Sequence, residues 1–331
     1  MNTDMEDLNR KLQQNQRLAD FADVIMLRGL GRHPGEYPEH LKAAVAGTAV
    51  ADMPGLGSRL AQPLVELVNA RTVRGRMTGL LDVPPNLPIP VPDDRDVTIV
   101  WGEDTPLPLS RFTSARLQTT AKRYGTMFVL TNEVLRVGDG RARNIVLRYA
   151  TRRLVRADDT AFLSPDAGSA DQPAGLLHGL VSIGSGSPST IIDTIEELVA
   201  STSDGAPDSP YFVCSMRGAA YLLAQDAALF REVTLTGGRL AGVPLLISRA
   251  AAEKLIFVDA SRIANTDNGL GVAASTQASV VMDDDPGVAA EQVSAFQANA
   301  AIWRFVRYAD WTKLRGDCVA FCELPIGGSP S

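Results

Sequence analysis

The sequence predicts an α+β protein of two domains, on three observations: a proline-rich β segment in the first third, one long amphipathic helix near the middle, and an alternation of short helices and strands beyond it. A chain of 331 residues, 45% hydrophobic and 21% charged, can bury a sizeable core, and its length favours two domains over one.

At the N-terminus, Leu8, Leu12, Leu18 and Ile25 recur at roughly helical spacing among charges, and His33-Pro34-Gly35 ends the run. A second helical piece, EHLKAAVAG, precedes the Gly/Pro-rich MPGLGS; PLVELVN follows, with Pro63 tolerable in a first helical turn. Residues 1–57 therefore read as an arm and 58–83 as the start of the first domain. Seven prolines between 84 and 108 surround the β-rich DVTIVWG, which excludes helix and favours an extended hairpin over 84–116. LQTTAKRYGTMFVLT returns from it as strand, by its β-branched and aromatic content. Leu147, Ala150, Leu154, Ala157 and Ala161 then step by three and four, predicting one helix over 141–163 with a narrow buried stripe. Arg148, Arg152 and Arg156 step by four on another face. Such a row is either a solvated surface, an ion-pair partner for acidic neighbours, or a face turned towards a polyanion.

After the loop SPDAGSADQPAG and the linker GSGSPS the pattern changes, and 186–295 reads as an α/β domain. Thr190 and Asp193 resemble a capping box that opens the helix IIDTIEELVAS. PYFVCSM, PLLIS, LIFVDA and ASVVM read as strands and RGAAYLLAQ as helix. Residues 296–331 hold AIWRFVRYADW, with Trp303, Phe305 and Trp311 alternating against Ile302, Val306 and Tyr308, and the strand DCVAFCEL.

No apolar run approaches the roughly 20 residues of a membrane span, and the polar start is not signal-like, so the chain is expected to stay in the cytoplasm where it is made. Cys214, Cys318 and Cys322 form no disulfide framework and read as buried thiols. A net charge of -6 argues against a uniformly basic nucleic-acid binder. Its distribution is uneven: from 111 to 156, eleven basic residues face only Glu133 and Asp139, a local +9 that leaves -15 elsewhere. Opposed regions of this kind can steer self-association.

The chemistry-bearing patterns yield no catalytic, cofactor or metal site. His33, His40 and His178 lie near no nucleophile elbow, and Ser185 and Ser187 fail its G-x-S-x-G pattern. GGRLAG has P-loop glycine spacing, but Val243-Pro244 replaces the Lys and Ser/Thr that would grip phosphate and magnesium, so it reads as a turn. Cys318 and Cys322 on one strand would stand about 13 Å apart, too far to share one zinc. Asp283, Asp284 and Asp285 read as a solvated turn, and NTDNG starts like a calcium loop but has Thr276 where a bidentate Glu is required.

From about residue 58 to 323 the order of segments resembles the tailed-bacteriophage major capsid protein family with the Hong Kong 97 fold. VTIVWGEDTPLPLSRF resembles the end of that family's extended hairpin, the E-loop; TNEVL resembles the segment before its spine helix. ADDTAFLSPDAG with QPAGLLHG resembles the helix end and following loop, RLAGVPLLIS a hairpin of the axial domain, and FQANAAIWRFVRYADWTKLRGDCVAF the closing run. The resemblance implies an L-shaped subunit: an N-terminal arm, an E-loop, a peripheral domain over 117–185 with the spine helix, an axial domain over 186–295, and a return to the peripheral domain. It implies pentamers and hexamers of the chain itself in an icosahedral shell around double-stranded DNA, with scaffolding protein, maturation protease, portal and decoration proteins as further partners and no membrane. The place implied is the virion, assembled in the host bacterial cytoplasm. Trp101, Leu107, Leu109 and Phe112 become inter-subunit contacts of the hairpin, and Arg148, Arg152 and Arg156 a DNA-facing row contacted without sequence reading. An encapsulin-like nanocompartment shell shares the fold, and an α/β enzyme with an unrecognised site is the reading of another class.

The match has departures. Ser164-Pro165 stands where a Gly-rich turn is usual, and the N-terminal helix is too short for the scaffolding domain many members carry. Some members join an E-loop Lys to an Asn by an isopeptide bond, but the lysines here are Lys11, Lys42, Lys122, Lys254 and Lys313, none in the hairpin. Assembled particles, boiled and reduced, are therefore expected to run as a monomer band on a denaturing gel; a ladder of covalent multimers would contradict this.

Overall fold

The apolar stepping that predicts a long helix is realised from Arg141 to Phe162 in a computed structural model of the protein. The structure describes residues 64–85, 88–91, 115–118, 122–133, 141–169, 172–184, 191–202, 206–226, 230–281 and 292–326. The readings of the arm, of Trp101, Leu107, Leu109 and Phe112, of the Thr190 cap, of Ser185 and Ser187, of His33 and His40, and of Asp283, Asp284 and Asp285 lie outside the described residues.

In chain order the strands are β1 (Leu81–Asp82), β2 (Pro88–Val91), β3 (Ala115–Gln118), β4 (Lys122–Thr131), β5 (Pro210–Cys214), β6 (Val233–Thr234), β7 (Gly237–Leu240), β8 (Val243–Ile247), β9 (Lys254–Asp259), β10 (Ile263–Ser275), β11 (Ser279–Val281), β12 (Gln292–Ser294), β13 (Ala300–Lys313) and β14 (Val319–Glu323). The main helices are α1 (Arg141–Phe162), α2 (Ile191–Ala200) and α3 (Met216–Gln225). Two compact units partition the chain: residues 1–76, 123–159 and 269–308 form the first, and 77–122, 160–268 and 309–331 the second. The chain changes unit inside long elements, whereas the sequence placed its changes at 186 and 296, where composition shifts.

In the first unit, residues 64–69 are helical and α1 lays its buried stripe, Ala150 and Leu154, against an inward row of β13, Trp303 and Phe305. Leu64, Val65, Val68 and Leu270 complete this core, and Phe128 of β4 stacks on Phe305 with ring centroids 5.4 Å apart. Apolar alternation on β13 sets which face is inward, because a strand's side chains alternate between faces. Gly125 lets β4 and β13 approach: a Cβ there would lie 2.2 Å from the carbonyl oxygen of Phe305.

In the second unit six strands run in the order β14-β9-β5-β8-β7-β6, antiparallel except for the parallel pair β5 and β8. α2 and α3 contribute Ile191, Leu198, Ala219 and Leu222 to a core with Phe212, Leu245, Phe257 and Cys322. β14, which the sequence grouped with the return to the first domain, instead pairs with β9, Val319 opposite Val258 and Glu323 opposite Lys254. Although β14 is an edge strand of this sheet, its residues Val319 to Cys322 are all buried. NTDNG is likewise no loop but lies within β10. Cys318 closes a short helical turn before β14 and does not share that strand with Cys322.

β2 and β3 pair antiparallel, Pro88 opposite Gln118 and Val91 opposite Ala115, and so bracket residues 92–114. Pro88 and Pro90 occupy alternate positions, so both missing N–H groups fall on the same edge of β2 and leave the other edge to the ladder. Gly125→Ala is expected to lower the melting temperature by several degrees, since relieving so close an approach costs about 1–3 kcal/mol. An unchanged melting curve in differential scanning calorimetry would contradict the spacing of β4 and β13.

Candidate functional site

Two features of the first unit can bear function: a buried charge cluster at the end of α1 and an exposed cationic face along it. Asp158 falls one helical turn after Leu154, on the buried stripe, and Arg307 falls on the inward row of β13 after Trp303 and Phe305. These positions force a carboxylate and a guanidinium into the interior, where charges persist only when paired. Asp158 is fully buried; the Arg74 Nη2 donates to its Oδ1 at 3.0 Å and the Arg307 Nη1 stands 3.8 Å from the same atom. The Tyr124 hydroxyl donates to that oxygen too, and the Arg307 Nη2 donates to Asn69 Oδ1. The adjacent Asp159 accepts the Val73 backbone N–H at 2.8 Å, at the start of the turn Val73–Arg76. Two arginines and two aspartates thus join the 69–76 segment, β4, α1 and β13. The sequence reading passed over this cluster; its signal was an Asp and an Arg at core positions of a helix and a strand.

On the opposite face of α1, Arg148, Arg152 and Arg156 are all exposed. At 100° per residue they cover one continuous arc with Tyr149 and Arg153, also exposed; the one carboxylate that projects into this arc, Asp159, is buried and accepts the Val73 N–H, so no exposed carboxylate lies among them. Tyr149 is 48% exposed, held edge-on to Phe128 with centroids 6.2 Å apart, and the Arg153 guanidinium sits 5.5 Å from its ring centre. The face is therefore cationic with one ordered aromatic side chain in it, able to attract anions over a helical turn or two.

The second unit holds polar groups that serve structure. Buried Asp259 accepts from the Ser209 N–H at 3.1 Å and the Ser261 hydroxyl at 2.7 Å, with the Arg262 Nε 3.4 Å from its other oxygen. The loop after α1 is pinned by the Trp311 indole donating to the Ala174 carbonyl at 2.8 Å and by Lys313 donating to the Leu176 and His178 carbonyls. Gly175 is required there, since a Cβ would lie 1.9 Å from the Ser164 oxygen. His178 is exposed and ring-bonded only to the Pro165 carbonyl, at 3.2 Å, among the described residues. The three cysteines are buried and unbridged; burial pushes the Cys214 and Cys318 thiols up to about 12 and the Cys322 thiol to about 11. Among the described residues no group of His, Cys, Asp and Glu could hold a metal ion, and no helix is long and apolar enough to cross a membrane.

No family model matches the chain. Over 313 residues it is 27% identical to a capsid polyprotein of Pseudomonas phage PAJU2, a match covering 85% of this chain and 47% of that one. The chain thus spans about half the length of the curated relative it matches. A solved structure from Microbacterium phage Oxtober96 has a TM-score of 0.55 at 14% identity, covering 77% of this chain and 91% of that one. One from Mycobacterium phage Bobi has 0.53 at 14%, covering 78% and 91%, and one from Gordonia phage Cozz 0.52 at 16%, covering 77% and 86%. At such identities the likeness is one of fold: a mixed helix-and-sheet fold found in phage structures.

Two outcomes are expected. Asp158→Ala leaves two buried guanidinium groups short of a partner and should cost about 3–5 kcal/mol in urea denaturation, against less than about 0.5 kcal/mol for the exposed Arg152→Ala. Iodoacetamide at pH 8 should leave all three thiols of the native chain unmodified and alkylate all three in denaturant; rapid native labelling would contradict their burial.

Proposed function

We infer that this chain, a relative of a phage capsid polyprotein with a fold found in solved phage structures, is a major capsid protein whose copies build the icosahedral head around double-stranded phage DNA. The observation that carries this reading is the match to a protein named capsid polyprotein along 85% of the chain. The Hong Kong 97 arrangement of arm, E-loop, peripheral and axial domains belongs to the same proposal and is supported by the five collinear motifs. The chain then acts by assembly and not by turnover, and the virion is its place. No observation favours a nanocompartment or an enzyme over this.

Shell building needs many contacts, each modest, that repeat by rotation until the surface closes. Trp101, Leu107, Leu109 and Phe112 of the proline-rich hairpin supply apolar anchors in this account, and the described surface offers another. Phe296 is 78% exposed on a turn fixed by the Ala298 N–H to Ser294 carbonyl bond at 3.0 Å and the Ala300 N–H to Ala295 carbonyl bond at 2.9 Å. An aromatic side chain on a backbone turn that is already fixed costs no backbone ordering when a partner covers it. Arg148, Arg152 and Arg156 meet an anionic surface of the finished particle, either packaged DNA or carboxylates of another subunit.

Assembly by such contacts should show a threshold: light scattering against concentration stays at the level of small species and then rises steeply as shells form. Phe296→Ser should leave the melting curve of the subunit unchanged and raise that threshold several-fold. Scattering that grows linearly, with no threshold, would contradict shell assembly; an unmoved threshold in the variant would remove Phe296 from the contact.

A further inference from the structure

We propose that the arginine face of α1 docks on the acidic face of α2 in a second copy of the chain, an inference that rests on the shell reading above and names the partner of its cationic row. α2 exposes Ile192, Asp193, Glu196 and Glu197, which form one continuous arc of three carboxylates and one large apolar side chain, with no basic residue among them. α1 exposes the converse arc, Arg148, Arg152, Arg156 and Arg153 beside Tyr149. No carboxylate among the described residues pairs with Arg148, Arg152 or Arg156, and no cation there pairs with Asp193, Glu196 or Glu197.

The spacings agree as well as the signs. Residues four apart on a helix rise about 6 Å, so the step from Asp193 to Glu197 matches those from Arg148 to Arg152 and from Arg152 to Arg156. Two helices laid side by side can pair their charges in register over one to two turns. The apolar companions decide between partners. Tyr149 is 48% exposed and Ile192 57% exposed, each beside its helix's charges, so a helix-to-helix contact would cover both. A DNA backbone would meet the arginines through phosphates and leave Tyr149 without an apolar counterpart. The chain also carries its own complement, a local +9 over 111–156 against -15 elsewhere. Inside a shell the acidic face of a neighbour is present at a fixed, high effective concentration, which raises the occupancy of pairs that would be weak between free molecules.

The test is a charge swap in the full chain, treated with nuclease and followed by sedimentation velocity and electron microscopy. Arg152→Glu with Arg156→Glu, and separately Glu196→Arg with Glu197→Arg, should each cut the assembled fraction tenfold or more. The four changes together should bring it back to within about twofold of the parent. Circular dichroism melts keep a folding defect apart from an assembly defect, and the milder pair Arg152→Gln with Arg156→Gln should weaken assembly in the same direction. A fourfold variant no better than either pair overturns the proposal. So does an arginine-reversed chain that assembles like the parent but retains less DNA, which would assign the face to the genome. A parent that forms no shells defeats the shell reading separately; the docking is then read from salt-sensitive self-association in the same sedimentation runs, and its absence there defeats the docking too.

Discussion

Asp158 is the group on which the first unit depends. It is fully buried at the end of a 22-residue helix, and its Oδ1 receives Arg74 and Tyr124 with Arg307 close by. Those partners come from a turn near residue 74, from β4 and from β13, so one carboxylate ties together segments distant in the sequence. A buried ion pair of this kind adds little net stability over an apolar replacement, because desolvation offsets most of the attraction. What it adds is intolerance of the wrong register: a slip of β13 by one residue would turn Arg307 outward and leave Asp158 short of a guanidinium in the core. In the shell proposed above, where each copy repeats the same contacts, a single well-defined geometry matters more than a deeper energy minimum.

The apolar packing follows from that registration. With Arg307 held inward, the parity of β13 also puts Trp303, Phe305, Ala309 and Trp311 inward, all at or below 3% exposed. Phe305 receives Phe128 on its face, and in the second unit Trp311 meets Phe162 edge-on at 5.2 Å. With the inward face of α1 committed to this core, its arginines face outward. The exposed charge and the buried charge of α1 are two consequences of one amphipathic pattern.

Much of this was legible in the residues. The 3.6-residue stepping of Ala150, Leu154 and Ala161 marked α1 almost to its ends, and runs such as PYFVC and LIFVD announced strands because β-branched and aromatic residues crowd there between turn residues. The cationic row was visible from spacing alone. Long-range pairing was not: nothing local to VAFCE says that it joins β9, and nothing in the composition marks the points inside α1, β10 and β13 where the compact units divide. NTDNG carries loop-forming residues yet lies in β10, where Asn265 is held by the Asp82 side chain at 2.7 Å, a tertiary bond overriding local preference. The Asp158 cluster escaped because buried charges resemble surface charges until both partners' parities are read together.

The central claim, that copies of this chain close into a shell, is met most directly by negative-stain electron microscopy of the purified 331-residue chain, expressed alone and again with a scaffolding protein. The account predicts closed, hollow particles of uniform diameter in at least one preparation. Only small particles in both, eluting as monomers or dimers, would contradict it.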